Sequence, residues 1–143
     1  MSDLARFLHI LSAALWMGAA LYWPGDLRRA LEAGAGAPTV ALRRARSALA
    51  LDLGAGGATF LTGGALLSFA SPSAFTVWVG LSAILVRVAL LLALARPAVR
   101  RIDAAAQAGD LVGAKLAAKR IAAYAGVAHL LWLIALAAMV FPV

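Results

Sequence analysis

The sequence holds two histidines, and both fall in apolar runs. His9 opens "HILSAALWMG", where Trp16 follows seven residues later and so shares its helical face. His129 lies in "AAYAGVAHLLW", with Trp132 about one turn beyond it. Neutral imidazole is a donor for iron, copper or zinc, and the usual axial donor to haem iron. The alternative is that each ring bonds a neighbouring carbonyl and serves helix packing alone. Trp16 and Trp132 can line a flat apolar ligand or fill a core, and the sequence leaves both open.

Arg87 is the third residue of interest. It stands near the middle of "VGLSAILVRVALLLALA". An arginine at the centre of a membrane helix costs about 2.5–3.5 kcal/mol on insertion scales, so it faces the bundle interior and needs a partner. One partner is Asp52 or a backbone carbonyl. The other is a carboxylate of a bound cofactor or substrate. Thr59 and Thr62 can bond back to their own helix or offer hydroxyls to a ligand.

Other chemistries are poorly served. There is no cysteine, which excludes disulfides, thiolate ligands, cysteine nucleophiles and c-type haem attachment. No H-E-x-x-H, G-x-S-x-G or phosphate-binding glycine loop is present. Only Asp52 of the six acids, Asp3, Asp26, Glu32, Asp52, Asp103 and Asp110, falls within an apolar stretch. A paired-carboxylate hydrolase is therefore not expected.

The elements that position these residues follow from composition. Of 143 residues, 64% are hydrophobic and 13% charged. A soluble domain of this size has too little interior for so much apolar surface. Apolar stretches at roughly 4–23, 47–70, 76–96 and 120–141 are each long enough to cross hydrocarbon as a helix. Strand alternation is absent, so a barrel is not expected. The fold class expected is all-α: an integral membrane four-helix bundle, residues 1–143 forming one transmembrane domain. The opening "MSDLAR" carries an aspartate and precedes no clear cleavage site, so span 1 reads as a retained helix.

Charge sets the expected orientation. The first connection, 24–46, holds Arg28, Arg29, Arg43, Arg44 and Arg46; the third, 97–119, holds Arg100, Arg101, Lys115 and Lys119. The second, "SPSAF", is uncharged. The positive-inside rule places the first and third in the cytoplasm and both termini in the periplasm, in a bacterial inner membrane. The net charge of +7 is accounted for in this way, so no nucleic-acid partner is expected. Pro24-Gly25 is expected to end span 1, "EAGAGAPT" to form a flexible loop, Pro72 to mark a tight turn, and the third connection to extend spans 3 and 4 as helix. Trp23, Tyr22 and Trp78 read as interfacial anchors. The glycines of "LGAGGATFLTGGALL" suit close helix packing, a homo-oligomer or room for a macrocycle. By helix rise, Arg87 and His129 fall at similar depth, with His9 about 10 Å away. One haem taking both histidines is therefore not favoured by depth, though tilted helices could absorb much of the offset.

"FLHILSAALWMGAALYWPGDLRRAL" resembles the first helix of the HemJ-type protoporphyrinogen oxidases and of the related CopD copper-resistance membrane domains, through His9, Trp16, Gly18 and Tyr22. The resemblance implies that His9 is an axial ligand of haem b. It also gives Arg87 the place of a basic residue, usually lysine, in the third helix. In span 4, "AAYAGVAHLLW" stands where that family carries an asparagine-glutamate-x-proline element, and "LGAGGATFLTGG" replaces its threonine-proline-glycine in span 2.

The expected function is a haem-b redox protein of the membrane, porphyrinogen-oxidising or electron-transferring, with a quinone, a porphyrin or a redox protein as partner. His9, with or without His129, would bind the metal, Arg87 a propionate, and Trp16 and Trp132 the ring. The rivals are a copper transport or resistance protein using His9, Met17 and His129 as transient ligands, and a non-catalytic membrane subunit.

Overall fold

The computed structural model describes residues 2–34, 37–69 and 74–140. The described chain is helical throughout: α1 (Ser2–Leu21), α2 (Trp23–Ala33), α3 (Ala37–Leu67), α4 (Ala74–Leu90), a π-helical turn (Leu91–Ala95), α5 (Arg96–Gln107) and α6 (Leu111–Val140). Four rods result, Asp3–Ala33, Pro38–Leu67, Phe75–Gln107 and Leu111–Ala138, each long and apolar enough to cross a membrane. The expected Pro72 turn lies outside the described residues.

The rods outrun the expected spans, and local chemistry explains why. The first helix does end beside Pro24, at Leu21, but helix resumes at once. The chain bends at Tyr22 and Pro24 falls in the first turn of α2, where a missing N–H costs nothing. Leu27 and Leu31, one turn apart, are both buried and hold α2 to the body. Most of the expected loop is therefore helix, and α3 begins ten residues before position 47. Gly34, at φ 90°, makes the turn out of α2. Gly109, at φ 74°, makes the one after α5. Asp110 then caps α6, its Oδ1 accepting the Gly113 N–H at 2.8 Å. The third connection is helical, as its composition suggested.

The π turn has a cause in Pro97. A proline cannot donate to the carbonyl four residues back and its ring crowds that carbonyl, here Ala93. Widening the turn relieves the crowding, and Arg96 N–H bonds Leu91 O instead. The wide turn begins one helical turn after Arg87.

Packing divides the bundle in two. In the arginine-rich half, α2, α3, the π turn, α5 and α6 share one core built around Trp23, Leu27, Leu42, Leu91, Ile102 and Ile121. In the other half α1 lies along α3 and α4 along α6. There the buried apolar residues shrink to Trp16, Ala55 and Ile84, with Val88 and Trp132 beside them. Phe7, Ile10, Phe60, Leu61, Trp78 and Leu85 are all exposed. An apolar exterior of this kind is what a lipid solvent requires.

Candidate functional site

Two polar groups lie inside the bundle. The first surrounds His9. Its Nδ1 stands 3.1 Å from the carbonyl oxygen of Thr59 and 3.1 Å from Oγ1 of Thr62. A carbonyl only accepts, so Nδ1 carries the proton and the neutral ring keeps its lone pair on Nε2. The Thr62 hydroxyl donates to Ala58 O at 2.7 Å, which leaves its oxygen free to accept from the same imidazole N–H. Ser12 Oγ donates to His9 O at 3.0 Å, and Thr59 Oγ1 lies 3.2 Å from Ser12 Oγ. Gly63 closes the group: a Cβ there would stand 3.2 Å from Cε1 of His9. The ring is oriented from α3 by one nitrogen, the arrangement that metal-binding histidines use to present the other.

The second group surrounds Arg87. Its side chain is 1% exposed and that of Asp52 is 0% exposed, and Arg87 Nη2 donates to Asp52 Oδ1 at 2.9 Å. The same nitrogen reaches Trp16 O at 3.2 Å, and the guanidinium carbon lies 4.3 Å from the centre of the Trp16 ring. That is cation–π distance. His129 and Tyr124 lie within electrostatic reach of this pair. Among the described residues, Asp52 Oδ2, Arg87 Nε and Nη1, Tyr124 OH and His129 Nε2 are buried without a hydrogen-bond partner. The group therefore keeps donors and an acceptor available beyond its internal ion pair.

The two groups are separate. His9 faces α3 at Thr59, Thr62 and Gly63, whereas Asp52 lies seven to eleven residues earlier, roughly 10–16 Å along the helix. Trp132 stands between the levels, its Nε1 donating to Ala13 O at 3.3 Å. The structure thus brings Arg87, Trp16 and Asp52 together and sets His9 apart. Arg87 Nη2 takes both protein partners the sequence offered it, Asp52 and a backbone carbonyl. Trp16 is seated beneath Arg87 and against Gly56, so its indole face serves the guanidinium.

Met17 is half-buried, and the Met139 side chain lies outside the described residues. Among the described residues no three His, Cys, Asp or Glu side chains gather into a metal centre. Tyr124 was not singled out from the sequence. A tyrosine within the apolar stretch of span 4 was the available signal.

No family model, curated protein or solved structure matches the chain.

Proposed function

We propose that this protein is a haem-b-binding redox protein of a bacterial inner membrane, with His9 Nε2 as the iron ligand. The arginine-rich end faces the cytoplasm and both termini face the periplasm. The observation that carries the reading is the bond from His9 Nδ1–H to Thr59 O. It fixes the tautomer that leaves Nε2 as a donor and holds the ring plane, which is what an axial ligand needs. Gly63 keeps the space beside the ring clear of a Cβ. The likeness of "FLHILSAALWMGAAL" to the HemJ-type first helix points the same way.

Bound haem would supply one-electron chemistry, whose potential the protein sets by ligand choice and burial. The residues of this chain would do the rest. Thr59 and Thr62 would orient the imidazole. The Arg87–Asp52 pair, with His129 and Tyr124, would present polar atoms deep in the bundle to a porphyrinogen, a quinone or water. Electrons would pass to or from that substrate or a redox partner.

The test is the visible spectrum and metal content of the protein purified in detergent. A Soret band with iron, lost in His9→Ala and kept in His129→Ala, is the expected result. A colourless protein carrying copper, or a Soret band indifferent to His9→Ala, overturns it.

A further inference from the structure

Among the described residues, the acids at the arginine-rich end are all engaged. At the arginine-rich end Glu32 pairs with Arg28 at 2.9 Å, Asp26 with Arg44 at 3.4 Å, and Asp103 with Arg46. Asp110 caps α6. Asp52 is buried with Arg87, and Asp3 lies in the first turn of α1, at the other end of its rod. Nothing acidic is left for Arg101 of α5 or Arg120 of α6, and no ion pair engages either among the described residues.

These two arginines rim one groove. It lies between α5 and α6, has a volume of about 240 Å³, and is lined between the two arginines by Ala98, Ala105, Gly113, Leu116 and Ala117. Apart from Leu116 this floor is alanine and glycine, so it is apolar and made mostly of small residues. The groove sits where the rods leave the hydrocarbon: Arg120 opens the apolar stretch of α6, and Arg101 follows the end of that of α4 and α5. By helix rise Arg120 stands at the edge of the apolar core and Arg101 about 7–8 Å beyond it, so the pair brackets the headgroup layer of a bilayer. Guanidinium groups bind phosphate in a bidentate fashion, and basic pockets between helices at this depth recognise anionic lipid headgroups.

We infer that the α5–α6 groove is a binding site for an anionic phospholipid, its phosphate held between Arg101 and Arg120 and its headgroup lying on the small-residue floor. The site is independent of the His9 group and of any cofactor there. It ties the arginine-rich end of the bundle to its leaflet by a specific lipid in addition to the diffuse attraction of the remaining basic residues.

Native mass spectrometry of the full chain, released from phosphatidylcholine micelles doped with phosphatidylglycerol, tests this. The wild type is expected to retain phosphatidylglycerol in preference to phosphatidylcholine. Arg101→Gln/Arg120→Gln is expected to weaken that retention about fivefold per arginine removed. Arg29→Gln/Arg43→Gln removes the same charge from exposed positions on α2 and α3 and is expected to change it less than about twofold, a local loss being absent there. Equal losses in the two double variants would mean a diffuse electrostatic film and overturn the site. Equal retention of both lipids by the wild type would do the same. Displacement of the lipid by inorganic phosphate would reassign the groove to free phosphate.

Discussion

Gly56 of α3 is the seat of Trp16 of α1: a Cβ at position 56 would stand 3.0 Å from Cε2 and 3.1 Å from Nε1 of the indole. Seven residues further along α3, Gly63 gives His9 the same close approach. The seven-residue step between His9 and Trp16 is thus answered by a seven-residue step between two glycines on an antiparallel helix. Gly54, Gly57 and Gly64 meet nothing within 4 Å. The glycines of α3 therefore divide into two that receive side chains of α1 and others that face outward.

That division predicts opposite outcomes for neighbouring substitutions. Trp16 cannot retreat from a new methyl group easily, because Arg87 lies 4.3 Å above its ring and bonds its carbonyl. Gly56→Ala is expected to destabilise the protein by about 1–3 kcal/mol through overpacking. Gly57→Ala, in open space, is expected to be neutral or to stabilise by up to about 1 kcal/mol through helix propensity. Thermal unfolding of both variants in one detergent decides this. Equal effects would mean that the contact does not constrain the indole.

The Arg87–Asp52 pair predicts a strong coupling. Removing one member leaves the other charged and buried, and breaking a buried pair typically costs about 3–5 kcal/mol. Arg87→Met and Asp52→Leu are each expected to fall in that range. The double variant is expected to cost at least about 1 kcal/mol less than their sum. Asp103→Asn, which opens a more exposed pair with Arg46, is expected to cost less than about 1 kcal/mol. A double-mutant cycle by thermal unfolding gives all four values, and additivity of the first two would refute the coupling.

Much of this was legible in the sequence, for physical reasons that can be named. Four apolar stretches gave four rods because lipid leaves helices as the simplest way to satisfy a spanning backbone. The cost of a mid-membrane arginine gave Arg87 a partner, and the only acid within a span made Asp52 a candidate. Helix ends were less legible. Pro24 can stop a helix or start one, and which it does depends on Leu27 and Leu31 finding a core on neighbouring rods. The choice of Thr59 O as the acceptor for His9 was not legible, since a carbonyl carries no sequence signature. The pairing of Gly56 with Trp16 and Gly63 with His9 required the register of α1 against α3, which no single helix encodes.

Trp132 offers a smaller test of how α6 is tied to α1. Its Nε1 donates to Ala13 O at 3.3 Å across the two helices. Trp132→Phe keeps most of the apolar area and removes that bond, so the expected cost is about 1 kcal/mol. Trp132→Ala is expected to cost about 3–5 kcal/mol through the lost volume. If Trp132→Phe proves as costly as Trp132→Ala in thermal unfolding, the hydrogen bond carries far more than its ordinary worth.

The orientation of the His9 ring makes the last prediction, and it bears directly on the proposed cofactor. Thr62 Oγ1 shares the Nδ1–H with Thr59 O, and only the first of these acceptors can be removed by mutation. Thr62→Val is expected to keep the ring in place through the carbonyl and to lower haem affinity modestly, about tenfold, as outer partners of metal-binding histidines do. Gly63→Ala acts differently: its methyl group would meet Cε1 of His9 at 3.2 Å and push the ring itself. That variant is expected to shift the Soret maximum or to lose haem more readily than Thr62→Val. Gly64→Ala, beside it in open space, is expected to leave both spectrum and affinity unchanged. Haem titration of the three purified proteins reads the order. A Gly63→Ala protein with wild-type spectrum and affinity would show that the edge of this imidazole does not border the iron site.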